Sequence, residues 1–161
     1  MEYKISKVDE KNLKRSYVND IGQYSDDFIN ELISSDFFAL LIEDKCCGLA
    51  TVVENNNICG RISHFIIDKQ LLKTNVSIEL YLELEKYCLK KNYEMIVVEF
   101  PANIRGMTGF MRKFFKKVGF KKECKKISHE GNFVFLIKDK IKNWYSEKNG
   151  ELIPNIQDMD K

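Results

Sequence analysis

Two side chains stand where their types could support acid–base chemistry. His64 lies near the end of an apolar stretch, just ahead of a polar loop. Imidazole titrates close to neutrality, which suits a group that takes and returns protons. Glu99 interrupts an apolar run, with Met95 to Val98 before it and Phe100 after it. A carboxylate in such a run needs a partner or an opening. It also falls at a strand end, where α/β folds tend to place ligands.

A third feature is charge. From Arg105 to Lys126 there are nine Lys or Arg and one Glu, in a chain whose net charge is only +2. Such a segment either meets an anion or forms the wet side of a helix and a strand. No nucleic-acid recognition motif accompanies it, so a basic nucleic-acid-binding protein is kept only as a distant alternative. Asp26, Asp27 and Glu31 form an acidic counterpart that could face a cationic substrate, although acids also cap helix starts.

The five cysteines, Cys46, Cys47, Cys59, Cys88 and Cys124, include no CxxC pair, and only two histidines are available to complete a metal site. Buried free thiols are expected, and no metal. The 161 residues suit one compact domain. No stretch approaches the roughly 18 to 20 apolar residues of a membrane helix. The start, MEYKISKVDE, lacks the apolar centre of a signal peptide, so a cytoplasmic protein without a membrane partner is expected.

These residues must be positioned by regular elements. Residues 3–8 alternate weakly and read as a strand, with Asp9 as a cap for a helix over 10–18. A second helix over 25–34 carries Phe28, Ile29, Leu32 and Ile33 at helical spacing, with Ser25 as its cap. Strands over 37–42, 46–53 and 58–67 form a meander, turning at residues 43–45 and 55–57. A helix over 76–91 precedes a buried strand over 94–100. A basic helix over 107–118 ends at Gly119, and strands over 120–127 and 132–137 close the pattern. The order is β-α-α-β-β-β-α-β-α-β-β. Residues 139–161 read as a tail with a short helix near 141–145, loose beyond it and frayed from Met159 to Lys161.

This order resembles the GNAT acyltransferase family. The resemblance is carried by the stretch ISHFIIDKQLLKTNVSIELYLELEKYCLKKNYEMIVVEF and by FMRKFFKKVGFKK, where an aromatic-rich helix ends in Gly-Phe. It covers roughly residues 3–138. It implies a mixed, mainly antiparallel α/β sheet flanked by helices. It also implies direct acetyl transfer from acetyl-CoA, or another acyl-CoA, to an amine on a small molecule or a protein.

In the family, a Gly-rich loop ahead of a helix holds the coenzyme A pyrophosphate. The matching residues are Leu72, Lys73, Thr74, Asn75, Val76 and Ser77, a degenerate version in which Leu72 and Asn75 replace a polar residue and a glycine. Asn75 is expected to supply the left-handed backbone in place of glycine. Glu79 is expected in the first turn of the helix, where it would repel a diphosphate unless it points away. A strand-end backbone amide serves the family as oxyanion donor, which corresponds here to Ile66 and Ile67. Asn103 would orient the pantetheine or a substrate amide, and Arg112 would help hold a coenzyme A phosphate. The position where the family often has an acidic tyrosine is Phe115. His64 and Glu99 are the candidate bases. The alternative is a non-catalytic acyl-CoA-binding or protein-interaction domain, and a homodimer through the tail around Ile141, Trp144 and Tyr145 is possible on either reading.

Overall fold

The computed structural model describes residues 2–155. Met159 to Lys161, expected to fray, lie outside the described residues. The chain divides into two compact units, Met1–Val53 with Ile62–Tyr87, and Glu54–Arg61 with Cys88–Lys161.

The first unit holds β1 (Lys4–Val8), α1 (Lys11–Ile21), α2 (Asp26–Ile33) and β2 (Asp36–Ile42), with most of β3 (Lys45–Asn56), β4 (Cys59–Ile67) and α3 (Asn75–Lys90). Its strands follow the order β1-β2-β3-β4, and β2 is antiparallel to both β1 and β3. Phe37, Phe38, Ala39, Leu40 and Leu41 are all buried, which explains why β2 is apolar without alternation. Val18 of α1 and Leu32 of α2 join Phe37 and Leu49 in one core cluster. Glu43 and Asp44 both have positive φ, 52° and 63°, the geometry of a two-residue hairpin turn that matches strand twist.

The helix starts separate into one expected cap and one correction. Ser25 Oγ accepts the Phe28 amide at 3.2 Å, and Asp26 and Asp27 occupy the first turn of α2. Asp9 does not cap α1. Glu10 holds that position without a side-chain bond, and Asp9 instead accepts Lys7 Nζ at 2.9 Å. At the other end of α2, the buried Lys14 donates to the carbonyls of Ile33 and Ser35, both at 3.0 Å. A cation there satisfies carbonyls that the ending helix leaves without partners.

The second unit contains the β3–β4 turn, β5 (Met95–Pro101), α4 (Met107–Lys117), β6 (Lys122–Ser128) and β7 (Gly131–Lys138). The β3–β4 turn falls at Asn57-Ile58 and not at 55–57, because β3 extends to Asn56. β7 lies between β5 and β6, antiparallel to both. α4 ends in a Schellman motif: the Gly119 amide bonds Lys116 O at 3.2 Å, and the Phe120 amide bonds Phe115 O at 2.9 Å. Gly119 takes φ +107°, and the Phe115 and Phe120 rings meet at 5.2 Å to seal the end.

The tail is more ordered than expected. A 3-10 helix at Ile141–Trp144 leads into a hairpin of β8 (Tyr145–Lys148) and β9 (Glu151–Pro154). Asn149 and Gly150 both have positive φ, 53° and 81°, which makes the turn. Ile141 and Tyr145 are buried within the chain, so these tail side chains are not offered to a partner. Two ammonium groups lie near the Trp144 ring, Lys138 Nζ at 4.8 Å and Lys121 Nζ at 5.0 Å from the ring centre. The architecture is the expected mixed, mainly antiparallel α/β fold flanked by helices, with the β8–β9 hairpin added to the expected order.

Candidate functional site

In the first unit, β4 places His64 against α2. The ring meets Phe28 edge-on at 5.1 Å, and Nε2 lies 3.9 Å from Glu31 Oε1. The opposite nitrogen, Nδ1, is 3.2 Å from Thr51 Oγ1, which in turn is 2.6 Å from Ser63 Oγ. His64 is 15% exposed and Thr51 is fully buried, whereas Glu31 is 66% exposed. A carboxylate, an imidazole and two hydroxyls are thereby in series. Such a series can stabilise a positive ring at one nitrogen while the other exchanges a hydrogen bond.

Thr51 and Ser63 were not singled out from sequence. Thr51 is the one polar residue in Leu49–Val53, and that interruption was the available signal. Glu85 was also missed. It is fully buried in α3, where the Tyr81 hydroxyl donates to it at 2.7 Å.

The loop ahead of α3 has a different local structure from the expected one. Asn75 is the first residue of the helix and has no positive φ, so its left-handed tolerance is not used. Glu79 falls beyond the first turn, which contains no acid. Thr74 Oγ1 donates to Leu71 O at 2.7 Å, and Ser77 Oγ donates to Thr74 O at 2.8 Å. Both hydroxyls therefore brace the loop. Val76 and Ser77 are buried, and Lys73 and Asn75 are exposed. Among the described residues, no acceptor takes the amides of Lys73, Asn75 or Val76. Open amides at the positive end of a sixteen-residue helix, beside an exposed lysine, fit a diphosphate.

At the end of β4, Ile66 and Ile67 are half-buried, and Ile66 packs on the core. The following Asp68 amide bonds Cys47 O at 2.9 Å, closing the strand.

In the second unit, Glu99 sits half-buried on β5 directly opposite Phe135, which is itself opposite Cys124. Cross-strand partners share a face, so carboxylate, ring and thiol form one row. Among the described residues no hydrogen bond or ion pair reaches the Glu99 carboxylate. Asn103 is exposed in the loop after β5. That loop is pinned by Thr108, whose hydroxyl donates to Pro101 O at 2.7 Å and accepts the Ile104 amide at 3.0 Å.

Arg112 is already paired. Its Nε donates to Glu123 Oε1 at 2.8 Å, with Lys116 Nζ 3.4 Å from the same oxygen. These cations hold the Glu123 carboxyl below its usual range, the Arg112 hydrogen bond contributing most. Phe115 is fully buried between Phe114 and Phe120 and cannot reach a ligand.

Of the cysteines, Cys46, Cys59 and Cys88 are buried as expected, Cys47 is half-buried and Cys124 is exposed. Burial pushes the Cys46 thiol up to about 12. Among the described residues no cluster could hold a metal ion, and no helix is long and apolar enough to cross a membrane.

No family model and no curated protein matches the chain. Solved structures match its fold. A GNAT-family acetyltransferase from Staphylococcus aureus aligns with TM-score 0.69 at 12% identity, covering 86% of this chain and 99% of that one. An aminoglycoside 6'-N-acetyltransferase complexed with coenzyme A aligns with TM-score 0.67 at 14% identity, covering 84% and 96%. A GNAT-family acetyltransferase from Elizabethkingia anophelis with acetyl-CoA bound aligns with TM-score 0.58 at 10% identity, covering 85% and 97%. The chain has the fold of the GNAT acetyltransferases.

Proposed function

We propose that this chain is an acyl-CoA-dependent N-acyltransferase that delivers an acetyl group to a primary amine. The observation that carries the reading is the start of α3, where three amides without acceptors among the described residues adjoin an exposed lysine within this fold. The amides of Lys73, Asn75 and Val76 would hold the diphosphate of acetyl-CoA, with the Lys73 ammonium adding charge. Arg112 is left out of this set because Glu123 occupies it.

Bound acetyl-CoA supplies the activated thioester carbonyl. The chain must then hold the amine, take its proton and offer donors to the developing oxyanion. Glu31 is exposed beside His64 and attracts the ammonium form of an acceptor. His64 is the base, and Glu99 is the competing assignment. The amides at the end of β4, at Ile66 or Ile67, are the oxyanion donors. With Phe115 buried, the leaving thiolate departs without a side-chain acid from that position.

The buried Phe115 also favours a second reading, a non-catalytic acyl-CoA-binding domain. Calorimetry with acetyl-CoA, on the parent and Lys73→Ala, tests the donor site. Binding weakened roughly tenfold by the substitution supports diphosphate recognition at α3. Absence of binding by the folded parent sinks both readings. Transfer to any member of a primary-amine panel then separates enzyme from binding domain, and loss in His64→Gln but not Glu99→Gln assigns the base.

A further inference from the structure

The Glu31–His64–Thr51–Ser63 series has a direction. Glu31 faces Nε2 at 3.9 Å, which favours the ring proton at that nitrogen. Nδ1 is then the lone-pair nitrogen, and it faces the Thr51 hydroxyl at 3.2 Å. Thr51 is fully buried, and both Nδ1 at 3.2 Å and Ser63 Oγ at 2.6 Å are within reach of its single proton; with the ring proton at Nε2, the hydroxyl donates to Nδ1. The Thr51 oxygen is left to accept from Ser63, 2.6 Å away. Ser63 is only half-buried, and it is the outermost hydroxyl of the series.

We propose that Ser63 and Thr51 form a proton relay into His64, so that the acceptor amine loses its proton at Ser63 Oγ and not directly to the ring. The inference rests on the acyltransferase reading given above. The balance is complete. The amine N–H bond breaks and a new O–H bond forms on Ser63. Ser63 passes its original proton to Thr51, and Thr51 passes its own to Nδ1. Each hydroxyl gains one proton and loses one. The ring ends as a cation, with Nε2–H toward Glu31 and Nδ1–H toward Thr51, so no buried group is left without a partner. Return of the proton reverses each bond.

Three variants separate the relay from a structural role. Thr51→Val keeps the shape and removes the hydroxyl, Ser63→Ala removes the entry point, and Thr51→Ser retains the chemistry. Nitrogen NMR of the imidazole is read on the full chain without any ligand. Acetyl transfer from acetyl-CoA to a responsive primary amine is read as kcat and KM against pH. The expected result is a neutral His64 protonated at Nε2 in the parent. Thr51→Val and Ser63→Ala lower kcat by about a hundredfold with little change in KM, and Thr51→Ser restores it. A neutral ring protonated at Nδ1 overturns the relay whatever the activity, because Nδ1 then has no lone pair to fill. Full kcat in folded Ser63→Ala overturns it as well. An Nε2–H ring in a parent that transfers to no amine supports the hydrogen-bond direction and sinks the acyltransferase reading instead.

Discussion

Lys138 Nζ donates to the Val118 carbonyl at 2.8 Å, and the Lys138 Cε lies 2.9 Å from where a Cβ on Gly119 would sit. Two constraints therefore meet at one residue. Gly119 must adopt φ +107°, and it must leave room for a fully buried lysine stem. Gly119→Ala is expected to cost about 2–4 kcal/mol, combining left-handed strain with displacement of a buried cation. Gly131→Ala is the control, since Gly131 has φ +123° with nothing within 4 Å of the added Cβ. Urea unfolding should show the larger loss at Gly119, and equal losses would refute the role of Lys138.

Thiol accessibility gives a second prediction. Cys124 is exposed, whereas burial pushes Cys46 up to about 12. A thiolate-selective reagent at neutral pH should modify Cys124 first and leave Cys46 unmodified until the chain unfolds. Cys124→Ser should remove the fast phase. A fast phase that survives this change would contradict the exposure pattern.

The third prediction concerns acid. The Glu123 carboxyl is held below its usual range by Arg112 first, then Lys116. A depressed carboxylate contributes stability above its unfolded range, and that contribution is lost as pH falls through the folded value. Glu123→Gln should therefore lower stability at neutral pH by about 0.2–1 kcal/mol, as for a partly exposed pair. The gap between variant and parent should close below about pH 4. A gap that widened toward low pH would reverse the assignment.

Local patterns made much of the fold readable. The apolar runs of β2 and β5, the Ser25 cap and the glycine after α4 each carry their own short-range cause. The β8–β9 hairpin was readable too, because Asn149-Gly150 is a strong turn signal, yet the tail was expected to be loose. Asp9 was misassigned because a lysine two residues away competes for its carboxylate. Asn75 was misassigned because α3 begins there in ordinary helical geometry. The site was less legible, since its contacts are made between distant residues. Thr51 meets His64 across neighbouring strands, and Arg112 meets Glu123 from helix to strand. Residue type marks His64 as a candidate, but only the folded chain supplies the hydroxyls behind it.

Trp144 is the chain's one tryptophan. Its indole ring, with the Lys121 and Lys138 ammonium groups about it at 5.0 and 4.8 Å, gives the second unit a built-in optical reporter. The emission of this fluorophore will respond when those cations leave the ring. The first unit, with tyrosine as its fluorophore, stays dark when excitation is confined to indole. Denaturation followed by tryptophan emission will thus record the loosening of one half of the molecule. Labelling of the Cys46 thiol will time the other, and a lag between the two signals would measure how independently the halves come apart.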